Sequence, residues 1–554
     1  MSDEEVSDDD ELQWRLSTLI GHFKQGKIKI AEHLGDDLQQ SLAAVRYRPD
    51  GKVDLQTVDG TIRSMALMTG FMTERNATKD SISLEEISHT YFDFIAQNFS
   101  FLADEAQRKK YNAHQFAKAV SKNPLAVKDL APQIPGFIEA IEEFWTTVST
   151  ASHNHIQDLD TSKAVFGGDL FPSFTRNIAS AVGLYIDTII LSCPFWQSRH
   201  IFQLSSKEMQ VYYLVKHAIN LLQYKQLATT ALAKPILLIS PLQSSVDGPE
   251  KDFIFDLAQR DAVKHAEVLF DREFDDFGQL MEFGEKLNTV EEAISAVSKL
   301  DRLLFDTAWE GLPEEQLRRA LENDLAVKVG GDHPGRHIAS QCFSRMAQAT
   351  DILHSSQLLG GTPLIDAPTS WEYYKWKLEY IAPKSPLDQT SLHMTKGLQN
   401  VSNTDAEWLG RIPSEALIEM RQQGAFEEIR SVLSEGVNEI ANTKPDAFFR
   451  SSDRIVDNIR AAFEQHKCEI DNLRSKKIKF AGQDLGAWLV SGAVEVAAIA
   501  SGSPVWGSAG FVTSQLVSAP KLKDIPPSFK ALYNKDKKIK TSPMGLLFKH
   551  IDAK

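Results

Sequence analysis

The dominant hydrophobic period along the chain is that of an α-helix. Residues 205–208 (SSKE) and 289–292 have the spacing of a helical capping box, and apolar residues at steps of three and four follow each of them. Pro313 in GLPEEQLRRAL suits the first position of another helix. A longer apolar stripe over residues 453–477 predicts a helix about 37 Å long that packs against a second helix. The pattern therefore predicts a mainly α fold, a multi-helix body with at most a small β element.

Two short apolar runs are typical of buried strands. They are LYIDTIILS at residues 184–192 and PILLIS at residues 235–240, and a predicted helix from about residue 208 to 233 separates them. This order predicts a parallel strand–helix–strand unit, with a crevice beyond Ser192 and Ser240 at the carboxyl ends of the strands. Apolar core helices, or isolated strands without a site, fit such short runs as well, and this alternative stays open.

Breaks in the periodicity divide the chain into segments. Turn-rich stretches at residues 359–370 and 382–405 bracket WEYYKWKLEY, where Trp371, Tyr374 and Leu378 share one helical face that favours packing over base stacking. The predicted segments are an acidic disordered arm (1–12), an N-terminal helical body (13–358) that includes any small β element at 184–240, an aromatic helix flanked by linkers (359–405), a helical region (406–480), an apolar Gly/Ala-rich helical hairpin (481–519) and a basic tail (520–554).

Composition and charge narrow the class of protein. The chain has 554 residues, a formal net charge of −15 and three cysteines that lie far apart, which favours free thiols in a reducing compartment. It opens on acidic residues rather than a basic and apolar signal, so a cytoplasmic location is expected, with peripheral membrane association as a further hypothesis. The body is acidic, which disfavours nucleic acid as a partner.

The sequence contains none of five common catalytic motifs. Phosphate-loop, dinucleotide-binding, HExxH, CxxC and GxSxG patterns are all missing. The stretch GGDHPGRHIASQC at residues 330–342 could supply metal ligands or a nucleophile with a base, although Gly330 and Gly331 are also explained as the end of a helix that Pro334 stops. The candidate catalytic residues of this stretch are Asp332, His333, His337 and Cys342.

Two further polar clusters are interpreted as structural. Acidic residues are frequent at positions 271–285, but Phe270, Phe274 and Phe277 repeat at helical spacing and predict the core face of one helix whose acids point to water. The pair His153 and His155 has no third metal ligand marked nearby. No metal and no cofactor is predicted, and whether the protein is an enzyme stays open.

The C-terminal region carries an unusual apolar segment. From residue 496 to 520 there is no charged side chain, and GSPVWG around Pro504 divides the run into two predicted helical arms. An arm of about 15 residues rises about 22 Å, which is short of the ~30 Å hydrocarbon core of a bilayer. The hairpin is therefore predicted to contact a membrane at shallow depth, to pack against another copy, or to stay buried.

Two sets of side chains would make these contacts. The membrane or oligomer contacts are assigned to Trp488, Leu489, Val490, Val494, Ile499, Val505, Trp506, Phe511, Val512 and Leu516. The flanking lysines would face an anionic surface, and they are Lys476, Lys477, Lys479, Lys521, Lys523, Lys537, Lys538 and Lys540.

Three functions are compatible with these patterns. The first is an intracellular helical interaction protein, a sensor or effector with a protein partner, whose hairpin conditionally contacts membrane. The second is an enzyme of unknown reaction, with a site at residues 330–342 or at the ends of the two predicted strands. The third is an oligomeric scaffold that associates with itself through the C-terminal helices.

Overall fold

The protein is mainly α-helical and contains one small parallel β-sheet. A computed structural model describes residues 8–28, 35–168, 177–242, 249–306, 309–322, 332–380, 389–401, 412–474, 479–480, 483–484 and 542–543.

The strands form two sheets. The first is parallel, with the order β3-β2-β1-β4, and the second is a two-residue antiparallel pair of β5 and β6. The strands are β1 (Lys163–Phe166), β2 (Thr188–Leu191), β3 (Leu237–Ile239), β4 (Gly361–Leu364), β5 (Lys479–Phe480) and β6 (Gln483–Asp484).

The helices account for most of the described chain. They are α1 (Asp8–Lys24), α2 (Gly35–Ala44), α3 (Gly60–Ser81), α4 (Leu84–Arg108), α5 (Ala113–Ser121), α6 (Pro124–Leu130), α7 (Ile134–Asp158), α8 (Ile178–Val182), α9 (Pro194–Gln197), α10 (Arg199–Leu204), α11 (Lys207–Leu222), α12 (Lys225–Thr229), α13 (Pro249–Phe270), α14 (Phe277–Gly284), α15 (Val290–Ser295), α16 (Pro313–Leu321), α17 (Pro334–Leu358), α18 (Pro368–Tyr380), α19 (Gln389–Val401), α20 (Ser414–Gln422), α21 (Phe426–Ser434), α22 (Val437–Thr443) and α23 (Phe448–Arg474).

The chain divides into two compact units. The first combines Met1–Tyr91 with Glu143–Asp160, and the second combines Phe92–Glu142 with Thr161–Lys554. In the first unit α1 packs on α3, and Leu16 and Leu19 from α1 join Ile62 from α3 in its core.

The parallel sheet lies in the second unit. Every residue of β1 and β2 is buried, as expected for strands of a parallel sheet that is covered on both faces. The 25-residue helix α17 contacts both β1 and β4 and packs along α13. Helix α11 lies between β2 and β3 in the chain and packs on α5. The C-terminal helices α19 and α23 pack against each other.

The strand order gives the sheet a switch point. Successive crossovers place β2 beside β1 and β3 beside β2, whereas β4 pairs with the opposite edge of β1. Crossovers between parallel strands are almost always right-handed, so connections that run in opposite directions along a sheet cover opposite faces. In open parallel sheets with this order, the place where a ligand crevice is expected lies between β1 and β4 at their carboxyl ends.

Several sequence predictions are confirmed. The runs at residues 184–192 and 235–240 contain β2 and β3, which are parallel, and α11 lies between them. Thr289 forms the predicted capping box with Glu292, and Pro313 is the first residue of α16. The box at residues 205–208 was placed one residue early, because Ser206 rather than Ser205 caps α11 by accepting from the backbone N–H of Met209.

Other predictions about segments are wrong. Residues 359–370, interpreted as a linker, contain β4 and the start of α18, and residues 382–405 contain α19 with Leu392 and Leu398 buried. Helix α1 begins at Asp8, so the predicted disordered arm extends too far toward residue 12. The helix predicted over 453–477 begins earlier, at Phe448, and ends at Arg474.

The helical hairpin predicted at residues 481–519 and the basic tail lie almost entirely outside the described residues. Their described parts include β6 and residues 542–543. Within the described part of the chain, no helix is both long enough and apolar enough to cross a bilayer.

Candidate functional site

The carboxyl edge of the parallel sheet is the best candidate for a site. Beyond β1 the chain continues into Gly167 and Gly168, and the N–H of Gly167 extends the ladder by donating to the carbonyl of Leu364 over 3.1 Å. Gly168 has φ +78°, which side-chain-bearing residues rarely adopt. A Cβ on Gly167 would lie 2.6 Å from Cδ1 of Ile352 on α17, so a larger residue here would have to displace the end of that buried side chain.

Beside these glycines, β2 turns directly into a short helix. Cys193 caps α9, since its sulfur accepts from the backbone N–H of Trp196 at 3.5 Å, and Pro194 occupies the first turn. The hydroxyl of Ser192 donates to Oε1 of Gln197 over 2.6 Å. The predicted edge residues Ser192 and Ser240 are both buried here, at the ends of adjacent strands.

On the other side of β1, the chain after β4 enters α18 at Pro368. The first N–H groups of a helix carry partial positive charge, and Thr369 and Ser370 in this first turn are buried. Gln399 on α19 donates to the carbonyl of Ile365, which fixes the short connection from β4 to α18. This combination of a strand end, a tight connection and a helix start is the arrangement in which parallel α/β sheets hold ligands.

A cluster of ionisable and aromatic side chains on α11 lies next to the carboxyl end of β2. The Nζ of Lys216 lies 5.5 Å from the ring centroid of Tyr212 and 5.8 Å from that of Tyr213. His217 stacks on Tyr213 and meets the ring of Phe195, a residue of α9, edge-on at 5.8 Å. The cluster therefore contacts the helix that begins directly after β2.

Burial perturbs the titration of these groups. Loss of hydration lowers the pKa of Lys216 to about 8 and the pKa of His217 well below its ordinary value. His114 on α5, whose Nδ1 is 2.7 Å from the hydroxyl of Tyr212, has its pKa lowered by burial and by the charge of Lys216. Perturbed pKa values of this kind concentrate at functional sites, although structural clusters produce them too.

At the opposite, amino edge of the sheet, a buried ion-pair network surrounds Asp187. Its side chain is 2% exposed and accepts from Arg421 at 3.2 Å, from Arg430 at 2.8 Å and from Ser162 at 2.8 Å. Burial raises the pKa of Asp187, but the hydrogen bonds from Arg430 and Ser162 outweigh it and lower the pKa to about 2. Because Arg421 is on α20 and Arg430 on α21, this network holds these two helices on the sheet.

A second buried ion pair joins three helices. Lys377 on α18 bonds to Asp261 on α13, and Thr350 on α17 donates to the same carboxylate over 2.9 Å. Nearby, His265 is bonded to the hydroxyl of Tyr380 and lies in a cage of aromatic rings, and burial lowers its pKa to about 4. All of these groups are enclosed between packed helices, so we interpret them as structural.

The structure does not assemble the predicted site at residues 330–342. Much of that stretch is the start of α17 rather than a loop: Cys342 and His337 are buried in the helix packing, and His337 stacks on Phe305. Burial raises the pKa of Cys342 to about 12, which opposes a thiolate nucleophile. Asp332 is exposed, and His333 lies 3.3 Å from the amide oxygen of Asn288. Gly330 and Gly331 lie outside the described residues.

The phenylalanines of the acidic stretch contribute to a core, as predicted. Phe270, Phe274 and Phe283 pack ring against ring in one core, yet the single helix predicted there is broken, because Asp271 has φ +52° and Asp276 caps the separate helix α14. The pair at residues 153 and 155 lies on α7. Among the described residues, no group of three His, Cys, Asp or Glu side chains is placed to hold a metal ion.

The aromatic stretch is also structural, as predicted. Trp371 and Tyr374 are buried on α18, and Trp371 meets the ring of Phe448 edge-on. The predicted membrane and anionic-surface residues, apart from the backbone of Lys479 in β5, lie outside the described part of the chain. Their roles stay predictions.

Sequence reasoning missed most of the carboxyl edge. It found Ser192 and Ser240, but neither β1 nor β4, and it gave no role to Lys216 on the helix between the two recognised strands. The apolar run AVFGG after Lys163 was the available signal for β1. Comparisons with models of known protein families, with curated proteins and with solved structures find no match.

Proposed function

We propose that the protein binds a small-molecule ligand at the carboxyl edge of its parallel sheet, centred on the crevice between β1 and β4. The observation that carries this proposal is the strand order β3-β2-β1-β4, which puts the switch point at β1. In open parallel sheets, ligands bind outside the carboxyl ends of the strands at such a point. The glycine turn after β1 and the start of α18 after β4 flank this crevice.

The amino edge of the sheet also supports a ligand site at the carboxyl edge, because the amino edge is already covered. There, Asp187 and its arginine partners occupy the strand ends, and α20 and α21 cover them. The helices hold the scaffold rigid at the amino edge of the sheet, so the carboxyl edge is left for binding. The loops that follow the strands lie at the carboxyl edge, and such loops often carry function. We therefore favour ligand binding over a purely structural role for this sheet, and the reaction, if there is one, stays open.

We expect a ligand of this site to stop stabilising the protein against thermal unfolding when a bulky side chain fills the crevice. Ala367 is half-buried between β4 and α18, and Ala367→Trp would place an indole there without removing a side-chain hydrogen bond. A ligand at about 100 times its Kd stabilises its protein by ~2.7 kcal/mol. Thermal unfolding with nucleotides, dinucleotides and uncharged nucleosides should therefore reveal at least one compound that stabilises the wild-type protein but not this variant.

The matched control places the same residue at the other edge. Ala233 is exposed and precedes β3, so Ala233→Trp should keep the full effect of the ligand. If a compound stabilises both variants as much as the wild type, it binds elsewhere. If the wild-type protein responds to no compound in a broad metabolite panel, the proposal is wrong.

A second candidate function, membrane contact, rests on the sequence of the C-terminal region. The charge-free residues 496–520 lie between Lys479 and Lys521, which suits shallow contact with an anionic surface. We predict that the full chain floats with phosphatidylserine vesicles in a density gradient, and that Trp506→Glu reduces the bound fraction because a carboxylate must leave water. Ser503→Glu, in the same predicted turn, should reduce it less. Absence of flotation under every condition would contradict the idea.

A further inference from the structure

One side of helix α3, in the first unit, is apolar and exposed. The opposite side packs on α1, and its buried residues are Ile62, Ala66 and Gly70. At 3.6 residues per turn, four large apolar residues lie within about 140° of arc on the exposed side. They are each about half exposed, and they are Leu67 (49%), Met68 (59%), Phe71 (54%) and Met72 (45%).

This apolar surface extends onto α1. Trp14 is 41% exposed, and its Cζ3 lies 3.1 Å from the position of a Cβ on Gly70, which places the indole beside α3. Together with the four apolar residues of α3, Trp14 forms a surface that we call the α3 face. Large side chains of about 200 Å² each, half exposed, give this face an area of roughly 500 Å². Apolar patches of about 300–600 Å² are the largest on a typical monomer and are often functional.

Two exposed residues of opposite charge flank the α3 face along one edge. Arg63 and Glu74 are separated by 11 positions, close to three full turns, so they lie on the same edge of α3 at opposite ends of its apolar residues. Arg63 donates to the backbone carbonyls of Leu55 and Val58, which are uncharged acceptors. The edge therefore has a positive end and a negative end.

Two α3 faces complement each other when they meet antiparallel. A two-fold axis through the middle of the contact places Arg63 of each copy near Glu74 of the other, which gives two ion pairs at the rim. The same axis brings Met68 against Phe71 of the second copy, and thioether sulfur makes favourable contacts with aromatic rings. An anionic bilayer would attract Arg63 but repel Glu74. The charges therefore favour a second copy of the chain over a lipid surface.

We propose that the α3 face is a self-association surface, on which α3 of a second copy packs antiparallel about a two-fold axis. The two copies together would bury roughly 1,000 Å², below the ~1,200–2,000 Å² of stable complexes, so the dimer is weak and reversible, with a Kd of about 1–100 μM. This surface differs from the C-terminal helices that the sequence suggested for self-association, and the inference does not depend on the ligand site.

Sedimentation velocity of the full chain, from about 1 to 200 μM, tests the proposal. We expect the wild-type protein to shift from monomer to dimer over this range. Phe71→Glu should weaken the dimer at least ~30-fold, because each dimer would then hold two carboxylates at its apolar centre. Phe101→Glu is the matched control, since Phe101 is 60% exposed on α4, outside the α3 face, and this variant should dimerise as the wild type does.

A charge exchange tests the antiparallel arrangement. Arg63→Glu and Glu74→Arg should each weaken the dimer about 3- to 30-fold, because each variant puts like charges together at both ends of the contact. The double variant should restore the wild-type Kd, since both ion pairs form again with reversed sense. Only identical copies that meet antiparallel give this rescue. Thermal unfolding of each variant checks that it is folded.

Four outcomes would overturn the inference. The first is a wild-type chain that stays monomeric over the whole range, including the case in which Phe71→Glu instead abolishes binding to phosphatidylserine vesicles. The second is a Phe71→Glu variant that dimerises as the wild type does. The third is a dimer weakened by Trp506→Glu but not by Phe71→Glu, which would use the C-terminal apolar segment. The fourth is a double charge variant that dimerises no better than the single ones.

Discussion

Asp187→Ala should lower the free energy of unfolding by about 3–5 kcal/mol, the range found when one partner of a buried ion pair is removed. The carboxylate is 2% exposed and receives bonds from Arg421 and Arg430. Arg421 is itself 7% exposed, and burial lowers its pKa to about 10 even though Asp187 raises it. Without the carboxylate, the arginine charge stays buried and loses its main counter-charge. Chemical denaturation of the two proteins measures the difference.

Glu427→Ala is the matched control within the same network. Its carboxylate bonds Arg430 at 3.4 Å but is 66% exposed, and exposed pairs contribute about 0–1 kcal/mol. A loss of stability in Asp187→Ala no larger than the loss in Glu427→Ala would show that the network does not hold α20 and α21 on the sheet.

The same network predicts a pH dependence. The pKa of Asp187 is about 2 in the folded protein, below its ordinary value of 3.8, so the folded state favours the ionised form. The stabilisation is therefore complete above pH ~4 and is lost as the pH falls from about 4 towards 2. The stability difference between wild type and Asp187→Ala, measured over this range, should shrink as the pH falls. A difference that does not change with pH would contradict the assignment.

Lys377→Met should produce a loss of similar size, about 3–5 kcal/mol, by leaving the carboxylate of Asp261 buried without its cation. Both side chains are under 5% exposed, and the hydroxyl of Thr350 alone cannot replace the lost charge. Because Asp261 is on α13 and Lys377 on α18, the loss should also loosen the packing of these helices on α17. Amide hydrogen exchange in α13 and α18 would detect this as faster exchange.

The double variant separates the cost of an unpaired charge from the value of the pair. Replacing a buried ion pair by apolar residues is often neutral or stabilising. The variant Asp261→Leu with Lys377→Met should therefore be more stable than Lys377→Met alone. Glu379→Gln provides the exposed control on the same helix, since Glu379 is 53% exposed in its pair with Arg302, and its effect should stay within about 1 kcal/mol. A double variant less stable than the single one would contradict this account.

The helical fold class could be predicted from sequence because its signals are local. Amphipathic spacing, the Thr289 capping box and Pro313 act within a few residues of themselves, and each is confirmed. The strands β2 and β3 were recognised because β-branched and aliphatic residues fill them. Strand β4 could not be recognised in the same way, because GTPL contains a glycine and a proline and is held by pairing with β1.

The candidate site was predictable only in part for a similar reason. Ser192 and Ser240 end strands that the sequence marks, but the position of β1 between β2 and β4 depends on contacts between distant segments. The two arginine partners of Asp187 are 234 and 243 residues away from it in the chain. The stretch at residues 330–342 was interpreted as a loop because of its polar residues. Tertiary packing instead places most of it in α17.

The position of β1 has a consequence for how the chain folds as it leaves the ribosome. Strands β1, β2 and β3 are made close together, but the partner of the other edge of β1 is β4, which is made far downstream. At about 5–20 residues per second, that edge of β1 stays unpaired for roughly ten seconds or more. An open apolar strand edge can pair with other chains. We therefore expect the nascent chain to need shielding, by a chaperone or by its own helices, until β4 emerges.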